Sequence, residues 1–301
     1  MNLNTFKISD NTIKLLLKKW KGSPESFLFY KHDEKEVITH FYDSLNKERL
    51  KIGLELLKEY TVTTGKRIFE IGAGYGGIAA LSKEYKFEYT GVEYAKDIYD
   101  VGLSFLADNE ISSDNYHHGD GSKTGFPNET FDIVFSINVL EHVKSIEEII
   151  LEAIRVVKKG GYVIFSFPNY NSFFEGHAGI FWIPYLSNLN PYFYYRIGGI
   201  KKNFALHLCK TQNFVTLYLI KRILKKIKIK DRNFCAIEFG EKTFKKRLQN
   251  YREMKCWNCH NLKKLESVIK YVDRLKLLPL FSWFVSVTET HTPIVLVLQK
   301  V

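Results

Sequence analysis

The 301-residue sequence predicts an α/β fold: a mostly parallel sheet with helices on both faces and a C-terminal antiparallel hairpin, preceded by N-terminal helices and carrying a large insert after its fifth strand. Three observations carry this. Residues 66–93, KRIFEIGAGYGGIAALSKEYKFEYTGVE, read as strand, glycine turn, helix, strand. From residue 67 to residue 167 short apolar runs alternate with helical periodicity, the pattern of a parallel sheet buried under helices. Near the C-terminus two runs rich in Val, Phe and Leu, 281–288 and 293–299, are joined only by Glu289-Thr290-His291-Thr292. That linker is too short for a helical crossover, so the two runs are expected to pair as an antiparallel hairpin.

Taken in order, residues 1–60 are helical, with Ile13, Leu16, Leu17 and Trp20 on one face and Ile52, Leu54, Leu56 and Leu57 in a later helix. Gly22-Ser23-Pro24 breaks the chain between them. Such a segment either closes over a ligand as a lid or packs on the sheet. The aromatics Phe27, Phe29, Tyr30, Phe41 and Tyr42 either line a pocket or belong to the core. Residues 61–168 hold the alternating core, with strands at 67–72, 87–93, 115–119, 131–137 and 161–167 and helices at 76–85, 95–109 and 146–157. Right-handed crossovers put every strand's C-terminal end on one rim, which gathers Glu70, Glu93, Asp120, Asn138 and Pro168. Glycines at 72, 74, 76 and 77 let a ligand approach the main chain, and the helix that follows points its N–H groups at it. An acid about twenty residues further on, Glu93, suits the two hydroxyls of a ribose. The unit binds a nucleoside, and the glycine pattern alone admits either a dinucleotide or a smaller cofactor.

Glu70, two residues before the first glycine, gives the denser pattern acid-x-G-x-G-x-G, and here the chain resembles the class I S-adenosylmethionine (SAM)-dependent methyltransferases. Gly119-Asp120-Gly121 stands where that family places an acid near the adenine, FDIVFSINVLEHV at 131–143 looks like its fourth strand and Asn-x-x-Glu-His turn, and Lys159-Gly160-Gly161 precedes an apolar strand as in the family. The likeness covers residues 66–168 and implies a Rossmann-like sheet, SAM as cofactor, and Glu70, Gly72, Ala73, Gly74, Gly76, Glu93, Tyr94, Asp120, Gly121 and Asn138 around it. The C-terminal hairpin favours SAM over NAD, because the family closes its sheet that way.

Residues 169–280 are an insert that the core does not account for, and residues 281–301 return to complete the sheet. The insert opens with NYNSFFEGHAGIFWIPYLSNLNPYFYYRIGG, dense in aromatics, directly after the strand end at Pro168. Methyl transfer is an in-line displacement, so the protein chiefly positions the acceptor and excludes water. A sugar hydroxyl is a poor nucleophile and calls for a general base. The candidates are His177 with Glu175 in the insert, and His142 beyond the fourth strand, where Glu-His is also common as a cofactor or loop-stabilising pair. The GHAGIFWIP run resembles inserts of methyltransferases of polysaccharide assembly, which implies a small-molecule or lipid-linked acceptor, a hydroxyl of a surface-glycan sugar or its precursor. A quinone or other apolar ring suits the aromatics as well. An RNA-binding methyltransferase, or a SAM-binding module without catalysis, is the reading that the charge suggests.

That charge is +11 with a pI near 9.2. Lys, Ile, Asn, Phe and Tyr are all plentiful, so the excess reflects composition as readily as a polyanionic partner, and nucleic acid is not expected. At 214–232, Leu217, Ile220, Ile223, Leu224 and Ile227 share a helical face with Lys221, Arg222, Lys225, Lys226 and Lys228 around it. A basic amphipathic helix lies on an anionic membrane or packs on its own domain. Lysines interrupt the N-terminus and no long uncharged run occurs, so the expectation is a cytoplasmic protein, at most peripheral to the inner face of the membrane. Cys256-Trp-Asn-Cys259-His260 matches half of a zinc site, with only the dispersed Cys209 and Cys235 to complete it; reduced thiols and no metal are expected.

Overall fold

In the computed structural model, which describes residues 6–22, 34–45, 47–230, 234–241 and 263–301, the strands form a seven-stranded, mostly parallel sheet in the order β3-β2-β1-β4-β5-β9-β8. The chain divides into two units, Met1–Ile137 with Ser145–Ile164 and Gln299–Val301, and Asn138–Lys144 with Phe165–Leu298.

The first unit begins with α1 (Asp10–Gly22), α2 (Glu34–Ser44) and α3 (Lys47–Lys58). Next come β1 (Arg67–Ile71), α4 (Gly77–Tyr85), β2 (Glu88–Glu93), α5 (Lys96–Asp108), β3 (Tyr116–His118), β4 (Phe131–Ile137), α6 (Ile146–Val156) and the greater part of β5 (Val157–Phe167). β1 runs parallel to both neighbours, with Glu70 opposite Gly91 on β2 and Phe69 opposite Val134 on β4. Apolar residues fill both faces of the central strands: Ile68, Phe69, Val134 and Phe135 are all buried, and Phe69 stacks on Phe131 at 4.9 Å. α6 starts where the Ser145 side chain accepts the Glu148 N–H, and its buried Ile146, Ile149, Ile150, Ala153 and Ile154 recur at helical spacing. α4 ends at Lys86 in the left-handed region (φ 55°), with the Phe87 N–H returning to the Ser82 carbonyl.

The N-terminal helices lie against the helices of this unit. Buried Thr12 on α1 donates to the Asp108 carboxylate at the end of α5 (2.6 Å), which also accepts the Ser9 N–H (2.8 Å). A Cβ on Gly77 would meet Leu50 of α3 at 2.8 Å, so only glycine lets α3 and α4 approach this closely. Phe41 sets its ring edge-on to Tyr75 in the glycine turn at 4.9 Å. Phe27, Phe29 and Tyr30 lie outside the described residues.

The second unit holds the two-stranded antiparallel sheet β6 (Phe174–Glu175) and β7 (Ile180–Phe181), then α7 (Pro191–Ile197), α8 (Lys202–Thr211), α9 (Leu217–Lys230), β8 (Phe234–Glu238), α10 (Lys263–Arg274) and α11 (Leu278–Val287), and nearly all of β9 (Ile294–Lys300). The expected C-terminal hairpin is corrected here. Its second arm is β9, but the first arm, 281–288, lies in helix α11 and the turn after it, and β9 takes β8 as its outer neighbour. A continuous apolar run has no period-two signature to distinguish strand from helix, and Pro279 in the first turn of α11 supplies a helix start. The basic helix α9 buries Leu217, Ile220, Leu224 and Ile227 and exposes Lys221, Arg222, Lys225, Lys226 and Lys228.

Candidate active site

In the first unit the glycine turn and two strand-end acids form one cluster. Gly74 and Gly76 take φ of 54° and 78°, in the left-handed region where a side chain is strained. Among the described residues, its chain neighbours apart, no atom lies within 4 Å of where a Cβ on Gly74 would stand. The N–H groups of Gly72 and Ala73 both bond the Val92 carbonyl, which pins the turn to the end of β2. Glu93 closes that strand with one carboxylate oxygen accepting the Gly74 N–H (2.9 Å) and the other the Ala95 N–H (2.9 Å). Burial raises its pKa, against the pull of those amides.

Glu70 sits deeper. The Tyr89 hydroxyl donates to it at 2.7 Å, filling the space beside Gly91, where a Cβ would stand only 2.2 Å from that hydroxyl. Burial pushes the Glu70 pKa up to about 8, opposed by the Tyr89 bond and reinforced by the charge of Glu93. Tyr116 donates to the Gly74 carbonyl and stacks on Tyr99 at 4.9 Å. Tyr94 is exposed, and its carbonyl meets the His118 ring at 3.1 Å. Asp120 holds the following turn, accepting the Ser122 N–H and hydroxyl at 2.8 Å. Gly121 has a packing reason to be glycine, since a Cβ there would stand 2.5 Å from Ile71.

In the second unit a polar cluster forms around His177. β6 and β7 fold the chain back so that Glu175, buried, accepts the His177 backbone N–H (3.0 Å) and the Ala178 N–H (2.7 Å) and stands 2.9 Å from His177 Nδ1. Tyr170 is 3.2 Å from the same nitrogen, while its own proton goes to Gln212 at 2.6 Å. Both neighbours of Nδ1 therefore accept, which puts a proton on Nδ1 and, whenever the ring is neutral, leaves Nε2 with the lone pair. Burial works against a charged His177, but the Glu175 bond and the charges of Glu175 and Glu141 outweigh it and raise the pKa.

Glu141 and His142 come from the turn after β4. Asn213 clamps that turn: its backbone N–H donates to the Glu141 carbonyl (2.6 Å) and its side chain to the carbonyls of Val143 (2.5 Å) and Leu140 (3.3 Å). Asn138, at the start of the turn, takes φ 56° and donates its N–H to the Ser166 carbonyl at 2.7 Å. Glu141 is buried, and burial pushes its pKa up to about 7, against its own backbone amide and the charge of His177. The rings of His142 and His177 meet edge to face with centroids 5.5 Å apart.

The structure thus groups Glu70, Gly72, Ala73, Gly74, Gly76 and Glu93 in one unit, and His142, His177 and Glu175 in the other. Sequence reasoning overlooked Tyr89, Tyr116, Tyr170, Gln212 and Asn213, which contact the site only through the fold. It also passed over Glu141, whose signal was an acid adjoining His142. Cys209 and Cys235 are free thiols, and Cys256, Cys259 and His260 lie outside the described residues.

A family profile described as "Methyltransferase domain" matches residues 69–165. The chain is 31% identical over 121 residues to the ubiquinone biosynthesis O-methyltransferase of Hydrogenovibrio crunogenus, covering 39% of this chain and 49% of that one. It is 28% identical over 95 residues to the uncharacterized methyltransferase YcgJ of Bacillus subtilis, covering 32% and 38%. The chain spans less than half the length of these two relatives. Among solved structures, phosphoethanolamine N-methyltransferase 2 of Haemonchus contortus in complex with S-adenosyl-L-methionine aligns over 84% of this chain and 51% of that one, at 18% identity and a TM-score of 0.47.

Proposed function

Because residues 69–165 are a methyltransferase domain of the class I, SAM-dependent family, we propose that the chain transfers the methyl group of SAM to a hydroxyl of a small or lipid-linked acceptor, a sugar of a surface glycan or its precursor. The observation that carries the methyl transfer is the meeting of Glu93 with the glycine turn, with Glu70 buried beside it. SAM brings a sulfonium and an ammonium to such a turn. A dinucleotide would bring the two negative charges of a pyrophosphate toward the Glu93 carboxylate that closes the turn, which is electrostatically adverse. Glu93 would hold the ribose hydroxyls, by charge-assisted hydrogen bonds worth about 1.5–3 kcal/mol each. Glu93→Ala is expected to weaken SAM and S-adenosylhomocysteine binding in a calorimeter by at least about tenfold. Unchanged affinity would count decisively against the assignment.

The hydroxyl acceptor is supported by the Glu175–His177 pair, in which Glu175 fixes the ring so that Nε2 is available to a hydroxyl. An amine acceptor requires no such pair. A second reading, methylation of a quinone-type ring, is favoured by the aromatic insert and by the likeness to a ubiquinone biosynthesis O-methyltransferase. The two readings differ in what they ask of the base, since a phenol ionises near pH 10 and an alkyl hydroxyl far above. His177→Ala is expected to lower kcat by roughly 10²–10⁴ on sugar hydroxyls with SAM affinity preserved. A kcat within a few fold of wild type on phenolic acceptors, with no turnover of sugars by either protein, would establish the ring reading instead.

A further inference from the structure

We propose that Glu141, His142 and His177 form a binding site for a divalent transition-metal ion, with Glu175 and Tyr170 holding His177 in place as a ligand. One donor atom from each of the three lies within 4.8 Å of the others, and Glu141 Oε1 stands 4.0 Å from His142 Nε2. At metal–ligand bonds of about 2.1 Å the donors of a tetrahedral site are roughly 3.4 Å apart, so side-chain closure of about 1 Å completes the shell. Glu141 is 1% exposed, and among the described residues neither of its oxygens has a well-formed hydrogen bond, its own backbone amide being the one donor that pulls on it. A buried carboxylate in that condition is costly unless a cation joins it.

The surroundings are built for a ligand set. His177 commits Nδ1 to Glu175 and Tyr170, which leaves Nε2 for the ion, the carboxylate–histidine–metal arrangement that fixes both tautomer and ring orientation. Asn213 clamps the turn that carries Glu141 and His142 by bonding three carbonyls, those of Leu140, Glu141 and Val143. Two imidazoles and one carboxylate suit Zn²⁺ and its first-row neighbours rather than Mg²⁺ or Ca²⁺, which prefer oxygen shells. Three protein ligands leave a position for water or for a hydroxyl.

This deepens the hydroxyl-acceptor reading given above, on which its role in turnover rests, and gives up His177 as the base, because the ion takes Nε2. The ion, in place of His177, lowers the pKa of the acceptor hydroxyl, whose proton passes to solvent water. The resulting oxyanion attacks the methyl carbon of SAM, and the C–O bond forms as the C–S bond breaks to leave S-adenosylhomocysteine.

The test uses the full chain carrying Cys256→Ser and Cys259→Ser, so that the separate Cys-x-x-Cys run holds no metal. The protein is stripped with a chelator and titrated with Co²⁺ and Zn²⁺. One ion per chain is expected, with a cobalt d–d spectrum free of thiolate charge transfer. Affinity should fall roughly 10²-fold or more in Glu141→Gln and His177→Ala, and about 10–100-fold in Glu175→Gln, which touches no metal. Zinc should also raise the Tm of the parent but not of Glu141→Gln, whose metal-free Tm shows whether it folds. No uptake, equal uptake by the parent and Glu141→Gln, or a thiolate band would overturn the site. Ion binding with no methylation of any hydroxyl acceptor would leave the site standing and remove the reaction assigned to it.

Discussion

Glu70 is stored neutral. Its carboxyl ionises at 4.5 in an open chain and at about 8 here, with burial the largest cause. The folded state therefore holds one more proton than the unfolded state between those two values. Stability contributed by this group is complete below pH 4.5 and is lost as pH rises through about 8. At 1.36 kcal/mol per pKa unit the loss is at most about 5 kcal/mol. Glu70→Gln keeps an acceptor for the Tyr89 hydroxyl and does not ionise, so it should match wild type in urea unfolding near pH 4.5 and exceed it by a few kcal/mol above pH 8. Parallel stability curves across that range would mean that the Glu70 charge is solvated in the native state. The presence of an acid at position 70 was legible in the sequence from its spacing to Gly72. Its protonation was not, because that follows chiefly from burial, with the charge of Glu93 adding to it and the Tyr89 bond opposing it, all of them set by packing rather than by spacing.

Among the elements, α1 shows how an N-terminal helix is held. Its attachment to α5 rests on a charge-assisted pair, the Thr12 hydroxyl and the Ser9 N–H on Asp108, with Asn109 reaching back to Lys7. Burial alone would raise the Asp108 pKa, but these bonds outweigh it and hold it below its usual value. Their stabilisation is accordingly present above pH 3.8 and fades as the carboxylate protonates below it. Thr12→Val should cost about 1.5–3 kcal/mol at neutral pH. The difference from wild type should shrink below pH 3.8, which acid titration of the two unfolding curves would show. Elements with strict periodicity were legible: α6 and the central strands carry their burial pattern in their spacing. α11 was not, because an all-apolar run fits a strand or a helix equally. The apolar face of α9 was read correctly, but whether it was covered was beyond the sequence. Since it is buried, any membrane contact through α9 would be electrostatic, made by its lysines and Arg222, and sensitive to salt. Among the described residues no helix is long and apolar enough to cross a membrane.

Across the whole molecule, what could be read ahead depended on sequence separation. The turn between β1 and β2 is local, and its acids and glycines announce themselves within a few dozen residues. The cluster around His177 is assembled from distant pieces, Tyr170 with Gln212 across 42 residues and Asn213 with Val143 across 70. No short pattern could reveal those pairs. The same division has a functional consequence, because Glu70, the glycine turn and Glu93 belong to one unit, whereas Asn138 falls with Glu141, His142, Glu175 and His177 in the other. Variants in one set should therefore spare ligand binding by the other. Glu93→Ala should lose SAM affinity in calorimetry and take up Co²⁺ as the parent does, while Glu141→Gln should lose Co²⁺ and bind S-adenosylhomocysteine within about threefold of the parent, a difference of under 1 kcal/mol. Under the proposed function each variant should also lose methyl transfer. If Glu141→Gln instead weakened S-adenosylhomocysteine binding tenfold or more with its Tm unchanged, the polar cluster would belong to the cofactor site, and the acceptor hydroxyl would have to be met by other residues.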